Sequence, residues 1–169
     1  MSTHLQDFVL RNEMTLINFV NLPNDTLEII LSWRNNKDVK KWMYNEEHIS
    51  FEEHLSFVNK LKQDKKNLYW VVKLNENFIG VIYLNRINYT HKHAFLGIYS
   101  NPHNKQKNKG KLLMNALMQI AFEVLQLHTL KLEVFKSNTK ACNFYKKHNF
   151  VIEGEFRELI FRNNQWHNI

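Results

Sequence analysis

Apolar positions change period repeatedly along the chain, and each change marks a new element. Thr15 to Leu22 is a largely apolar run of strand character. Asp25-Thr26-Leu27-Glu28 then has the spacing of a capping box, followed by Leu27, Ile30 and Leu31 as the buried stripe of a helix. A second box at Ser50-Phe51-Glu52-Glu53 opens another helix, with Leu55, Val58 and Leu61 on one face. Strand-like runs follow at Leu68 to Leu74, Ile79 to Ile87 and His93 to Tyr99. Asn75-Glu76-Asn77 supplies turn residues between the first two, which predicts an antiparallel meander.

Helical spacing returns at Leu113, Leu117, Ile120 and Val124, flanked by Met114, Met118 and Ala121. This predicts a deeply buried helix from Lys111 onward. Leu130 to Phe135 reads as a short strand, Asn138 to His148 as a helix bearing Ala141, Phe144 and Tyr145, Phe150 to Phe156 as a strand, and Gln165 to Ile169 as the last strand. The order βααβββαβαββ implies an α/β class, a mixed sheet with helices on both faces. With no repeat and no Pro/Gly/Ser linker, the 169 residues are expected to form a single domain, long enough to bury a core without disulfides or a structural metal.

Composition narrows the setting more than the chemistry. No stretch approaches the ~20 apolar residues of a membrane span. Met1-Ser2-Thr3-His4 lacks the basic and apolar regions of a signal peptide, and Cys142 is the only cysteine, so a reducing cytoplasm is expected. The formal charge of +7 would attract nucleic acid, membrane surfaces and small polyanions alike, and abundant asparagine beside lysine is equally consistent with a compositional bias. Nucleic-acid binding would call for lysines interleaved with exposed aromatics, whereas the aromatics here mostly follow core periodicity, so neither nucleic acid nor membrane is expected as a partner. The nine histidines fit no HExxH or Cys/His framework, and no metal is expected. A homodimer is left open.

The densest candidate chemistry lies between Tyr99 and Leu113. A strand ends there, a loop carries Lys105, Lys107, Lys109 and Lys111, and a buried helix starts after Gly110. Backbone N–H groups at a helix N-terminus, with the positive end of its dipole, form an anion site, and a glycine lets a diphosphate approach the main chain. A lysine-rich solvated loop ahead of an ordinary helix accounts for the same residues.

Lys105-Gln106-Lys107-Asn108-Lys109-Gly110 resembles the pyrophosphate loop Gln/Arg-x-x-Gly-x-Gly/Ala of the GNAT superfamily of N-acetyltransferases. Here Lys105 stands for the Gln/Arg and Asn108 for the first glycine. Asn138-Thr139-Lys140-Ala141 through Tyr145 to Phe150 resembles the same family's Asn-x-x-Ala-x-x-x-Tyr-x-x-x-x-Phe helix and strand. The resemblance implies a GNAT fold, with the fourth and fifth strands splayed around acetyl-CoA, and acetyl-CoA as acetyl donor. It implies direct attack of an amine on the thioester through a tetrahedral intermediate.

The family's roles fall on Lys105, Asn108, Lys109, Gly110 and Lys111 for the diphosphate and on Asn138 for the pantetheine arm. Tyr145 would protonate the departing thiolate, since a phenol and a thiol of neighbouring pKa can share a proton. His93 to Tyr99 resembles the fourth strand, where Gly97 fits a bulge and a backbone N–H near Ile98 would stabilise the oxyanion. Without the resemblance, Tyr145 reads as a core tyrosine, Asn138 as a helix cap and Gly97 as relief of crowding.

A closer similarity runs from Phe19 to the end through Trp33-Arg34-Asn35, Trp42-Met43-Tyr44, Phe51-Glu52-Glu53-His54-Leu55, His91-Lys92-His93, Leu96-Gly97-Ile98-Tyr99 and Leu132-Glu133-Val134. These blocks resemble the pseudaminic-acid-pathway acetyltransferases, which act on the 4-amino group of UDP-4-amino-4,6-dideoxy-N-acetyl-β-L-altrosamine, a step toward the sugar that decorates flagellin. The resemblance puts Arg34, His54, Asn85, Arg86 and Tyr99 in a nucleotide-sugar pocket, where planar guanidinium forks suit a diphosphate.

The amine must lose a proton before it attacks. Glu133 matches a carboxylate position that acts through water, and Tyr83 holds a third-strand position where small polar side chains relay protons. Glu133 also reads as a salt-bridged strand carboxylate. The rival readings are a ribosomal-protein or aminoacyl-nucleotide type N-acetyltransferase and a non-catalytic coenzyme A binding module.

Overall fold

A computed structural model gives the fold and describes residues 3–10 and 13–169. Met1 and Ser2, part of the N-terminal stretch weighed for leader character, lie outside the described residues. Strands β1 (Phe8–Val9) and β2 (Met14–Asn18) lead into α1 (Asn24–Asn35), the single turn α2 (Lys37–Lys40) and α3 (Phe51–Leu61). Then come β3 (Leu68–Leu74), β4 (Asn77–Asn88), β5 (His93–Ser100), α4 (Lys109–Gln119), β6 (Thr129–Lys131) and α5 (Thr139–Lys147). A hairpin of β7 (Ile160–Arg162) and β8 (Gln165–His167) follows. β1 to β6 form one six-stranded sheet in chain order. It is antiparallel except for β6, which runs parallel to β5 and is reached through α4.

Period two sorts the strand side chains onto two cores. Trp70 and Val72 of β3, Ile82 and Leu84 of β4, and Leu96 of β5 face α4, where Leu113 and Leu117 meet them. Val71 and Val81 face the other way, onto Leu27, Ile30 and Trp33 of α1 and Val58 and Leu61 of α3. The sheet thus carries helices on both faces, as the element order implied.

The sheet opens on one side of β5. Its ladder with β6 runs His93 to Thr129, Ala94 to Leu130 and Phe95 to Lys131, and stops there. β5 continues against β4 to Ser100. Beyond Lys131 the chain is drawn away by Phe135, which is buried against Trp42, Tyr44 and His167. From Leu96 onward the outer edge of β5 therefore has no strand partner among the described residues, and a wedge opens there between β5 and the departing chain.

Several elements differ from the sequence reading. The Asp25 box does not form: Pro23, extended at ψ 159°, starts α1 at Asn24, and the Asp25 carboxylate accepts from the Thr26 N–H instead. The Ser50–Glu53 box forms in both halves. After α4 the helix widens into one π turn, Ile120–Val124, which rotates Val124 off the buried stripe and leaves it 37% exposed. The strand expected over Leu130 to Phe135 keeps only Thr129–Lys131. Phe150 to Phe156 is not a strand: Phe156 and Ile169 exchange backbone bonds, but no second pair extends them into a ladder, and Val151 and Ile152 are 81% and 74% exposed. The C-terminal run instead pairs back on itself as β7–β8. No helix among the described residues is long and apolar enough to cross a membrane.

Candidate active site

A cavity of about 680 Å³ lies on the α1/α3 side of the sheet. It brings together seven residues singled out in the sequence: Arg34, His54, Tyr83, Asn85, Arg86, Tyr99 and Glu133. Arg34 closes the last turn of α1 and His54 lies on the buried face of α3, one turn before Val58. Asn85 and Arg86 stand where the β4–β5 register shifts, and Arg86 takes a left-handed φ of 52°. A bulge of this kind re-aims a side chain. Here the Arg86 guanidinium lies 3.5 Å above the Phe95 ring and its Nη2 is 3.0 Å from Glu133 Oε1.

Three buried polar atoms facing this region have no hydrogen-bond partner among the described residues: Arg34 Nη1, His54 Nε2 and Asn85 Oδ1. Unmet buried polar groups cost stability, so a cluster of them in a cavity marks groups held ready for a ligand. Arg34 Nη2 already donates to the Asn45 carbonyl at 2.8 Å, which leaves Nη1 as the free half of the fork. Burial lowers the Arg34 pKa, though an arginine stays charged through the neutral range. Burial likewise lowers the His54 pKa and keeps the imidazole neutral near pH 7.

Glu133 is held from two sides. Tyr44 Oη donates to Oε2 at 2.8 Å, and Arg86 Nη2 donates to Oε1. Burial, then this bond to Glu133, raises the Tyr44 pKa. The carboxylate is thus oriented into the cavity with each oxygen engaged once, leaving lone pairs for a water or an amine. Tyr69 and Tyr83 stack at 4.8 Å with rings only 16° apart along the cavity wall. Burial pushes the Tyr69 phenol up to about 12 and raises Tyr83 and Tyr99 as well, so all three are neutral hydrogen-bonding groups near pH 7.

The other sequence-nominated residues sit on the α4/α5 side. Asn108 precedes α4 in the left-handed region at φ 59°, ψ 23°, and gives no side-chain cap, so the amides of Lys109, Gly110 and Lys111 have no partner within the helix, the arrangement that suits an anion. Asparagine tolerates that backbone where the family pattern has glycine. Lys105, Lys107 and Lys111 are exposed. Lys109 does not aim its charge outward: its ammonium donates to the carbonyls of Asn101, at 2.6 Å, and Asn104, tying the loop together, and burial lowers its pKa. Gly110 has a second role, since a Cβ there would meet the Phe144 ring at 3.3 Å; the glycine lets α5 approach α4.

Asn138 caps α5 by accepting from the Ala141 N–H at 3.1 Å. Tyr145 packs against the α4-side core and edge-on to Phe144 and Phe150, and burial raises its pKa. Ile98 lies on the free edge of β5, opposite Ile82 of β4. Gly97 is not at a bulge: it pairs in regular register with Tyr83, whose ring takes the space a side chain would need. A ligand with a diphosphate and a long amide-bearing arm fits these features.

Sequence reasoning did not nominate Tyr44, Tyr69 or Phe57 as site residues, although Trp42-Met43-Tyr44 stood among the similar blocks. All three line the cavity. The signal available for Tyr44 was an aromatic-rich run between two helices without helical or strand period.

A model of the acetyltransferase (GNAT) domain matches residues 21–168. The chain is 40% identical over 144 residues to the acetyltransferase PseH of Campylobacter jejuni, covering 85% of this chain and 88% of that protein. The crystal structure of Campylobacter jejuni N-acetyltransferase PseH in complex with acetyl coenzyme A is 34% identical with a TM-score of 0.70, covering 92% of this chain and 95% of that one. Spermidine N-acetyltransferase from Vibrio cholerae, in complex with CoA and spermine, is 30% identical with a TM-score of 0.83, covering 92% and 90%.

Proposed function

The chain belongs to the GNAT acetyltransferase family and uses acetyl-CoA as acetyl donor, and from that premise we propose that its acceptor is the 4-amino group of UDP-4-amino-4,6-dideoxy-N-acetyl-β-L-altrosamine, in pseudaminic acid biosynthesis. The observation that carries this reading is the buried, unpartnered Arg34 Nη1 in the cavity. A guanidinium half left free in a partly desolvated site favours an anion, and a diphosphate presents paired oxygens to it. The similarity to PseH supports the same acceptor.

A polyamine acceptor, as in the Vibrio cholerae relative, would call for carboxylates free to bind ammonium groups. Of the two carboxylates lining this cavity, Glu53 is turned back to the Ser50 N–H, and Glu133, which keeps lone pairs for a single amine, has its charge balanced by Arg86. With Arg34 and Arg86 set against Glu53 and Glu133 the lining carries no net formal charge, so it offers a polycation no net attraction.

Acetyl-CoA supplies a thioester carbonyl for the amine to attack. This chain's residues do the rest. The amides of Lys109 to Lys111 and Asn108 receive the diphosphate, with Lys105 adding charge, Asn138 receives the pantetheine arm, and the Ile98 N–H stabilises negative charge on the carbonyl oxygen. Arg34, His54, Asn85, Arg86 and Tyr99 hold the nucleotide sugar. Glu133, directly or through water, takes the amine proton, with Tyr83 beside it, and the neutral Tyr145 phenol gives a proton to the departing sulfur. The reaction is placed in the cytoplasm.

Calorimetry with UDP tests the acceptor assignment without any chemistry. UDP should bind the wild-type protein, and Arg34→Met should abolish the heat while acetyl-CoA binding persists. Equal UDP binding by both proteins, or none by either, would remove the nucleotide from the cavity.

A further inference from the structure

We propose that Arg162, in the C-terminal hairpin, is a positioning residue for acetyl transfer: it clamps the loop 41–46 from outside so that Tyr44 stays on Glu133. The inference rests on the acceptor cavity assigned above.

Three observations join at this residue. Arg162 lies on the inward side of β7, its side chain only 13% exposed, and donates from Nη1 to the Met43 carbonyl at 2.9 Å and from Nη2 to the Lys41 carbonyl at 2.8 Å. The Glu46 carboxylate balances the charge, 3.4 Å from Nε. The guanidinium stacks 4.7 Å from the centre of the Phe135 ring, against which Trp42, Tyr44 and His167 also pack.

The loop is therefore held by two arginines from different elements, Arg34 of α1 and Arg162 of β7. Arg162 takes the carbonyl just before Tyr44, and Arg34 takes the Asn45 carbonyl just after it, at 2.8 Å. Tyr44 is the residue between them, and its hydroxyl fixes Glu133 Oε2. Phe135, two residues beyond Glu133, lies beneath the same guanidinium, so one side chain references both partners of the Tyr44–Glu133 bond to a common point. A planar fork can serve two carbonyls two residues apart, whereas a lysine presents a single point charge. Burying a cation beneath a surface hairpin is not the most stable way to fill that space, and the geometry it gives the loop is what it contributes. None of these contacts involves α4 or the free edge of β5, and Phe135 meets α5 only through its carbonyl, which accepts from Asn138 and Cys142, while the clamp acts on its ring, so the donor side should sense the clamp little.

Arg162→Lys and Arg162→Met in the full chain test this. Kinetics with the UDP-amino-sugar should show kcat/KM for the acceptor falling by at least ~10-fold in Arg162→Met and less in Arg162→Lys, as expected for a misplaced site group. KM for acetyl-CoA should stay as in wild type. Amide hydrogen exchange should quicken across Lys41 to Glu46 while α4 keeps its protection. Exchange is read with no acceptor present, so it judges the clamp even if the sugar proves not to be the substrate. Wild-type exchange in that loop, or donor and acceptor parameters that worsen together, would overturn the proposal. Should Arg162→Met fail to fold, Arg162→Lys decides by the same readouts.

Discussion

The phenol of Tyr83 lies directly on the backbone of Gly97. The two residues pair across β4 and β5, and a methyl group on Gly97 would stand 1.9 Å from Cζ and 2.1 Å from the hydroxyl oxygen of Tyr83. No side chain fits there without moving the ring, and the ring is stacked on Tyr69 in the cavity wall. Gly97→Ala should therefore cost about 1–3 kcal/mol of stability through overpacking. It should also lower acetyl transfer, because the displaced phenol enters the acceptor space. In a Tyr83→Ser background, which has its own packing cost, the Gly97→Ala penalty should largely vanish, a coupling that urea unfolding of the two single variants and the double variant would measure.

Tyr145 is raised above the ordinary tyrosine range by burial and so carries its proton throughout the neutral range. That suits a proton donor. Tyr145→Phe should reduce kcat by ~100-fold or more, the scale of a lost general acid, while calorimetry shows acetyl-CoA binding nearly unchanged. The alkaline fall in wild-type kcat assigned to this phenol should lie above ~10, the free tyrosine value. Unchanged turnover in the phenylalanine variant would take Tyr145 out of the mechanism.

Glu133 can be a catalytic base or merely half of an ion pair, and the two roles differ in magnitude. The Arg86–Glu133 pair is well exposed on the arginine side, so its loss should cost no more than about 1 kcal/mol. Loss of a general base should lower kcat by ~100-fold or more. Glu133→Gln is expected to show the large kinetic effect with the small stability effect, measured by turnover and thermal unfolding on the same preparation.

Burial lowers the His54 pKa below its unfolded value. As pH drops below ~6.5 the unfolded chain takes up a proton at this position before the folded chain does. The folded state then loses stability, starting just under the unfolded pKa and ending at the folded one. Wild type should accordingly lose stability between pH 7 and pH 5 more steeply than His54→Phe, by urea unfolding at each pH. Parallel slopes would show that His54 titrates as it does in the unfolded chain.

The parts of the molecule legible in the sequence were those governed by local rules or by whole-family patterns. The apolar run Leu68 to Leu74 formed the strand it was expected to form, and the Ser50–Glu53 box formed in full because both partners lie within one turn. Arg34, His54, Asn85, Arg86 and Tyr99 were found through the resemblance and meet in one cavity.

What was not legible depends on contacts far apart in the chain. Tyr44 reaches Glu133 across 89 positions and Arg162 reaches Met43 across 119, and nothing in either local stretch announces its partner. The shortened β6 has the same origin, since Phe135 is drawn off by residues of the 41–46 loop and β8. Val124 fits helical spacing, yet a π turn places it outside the core, and no residue pattern distinguishes that turn from its α-helical continuation. Pro23 displaced the Asp25 cap by the fixed backbone it imposes, a local signal overlooked in favour of the box.

Direct competition between acceptors tests the central assignment. Purified enzyme with acetyl-CoA would be offered UDP-4-amino-4,6-dideoxy-N-acetyl-β-L-altrosamine or spermidine, and release of free thiol followed for each. A cavity with the buried Arg34 Nη1 unpartnered and the Glu133 charge balanced by Arg86 should give the nucleotide sugar a kcat/KM at least ~100-fold above the polyamine, a ratio within reach of a site whose polar groups must be matched. Preference for spermidine, or no thiol release with the sugar, would contradict it.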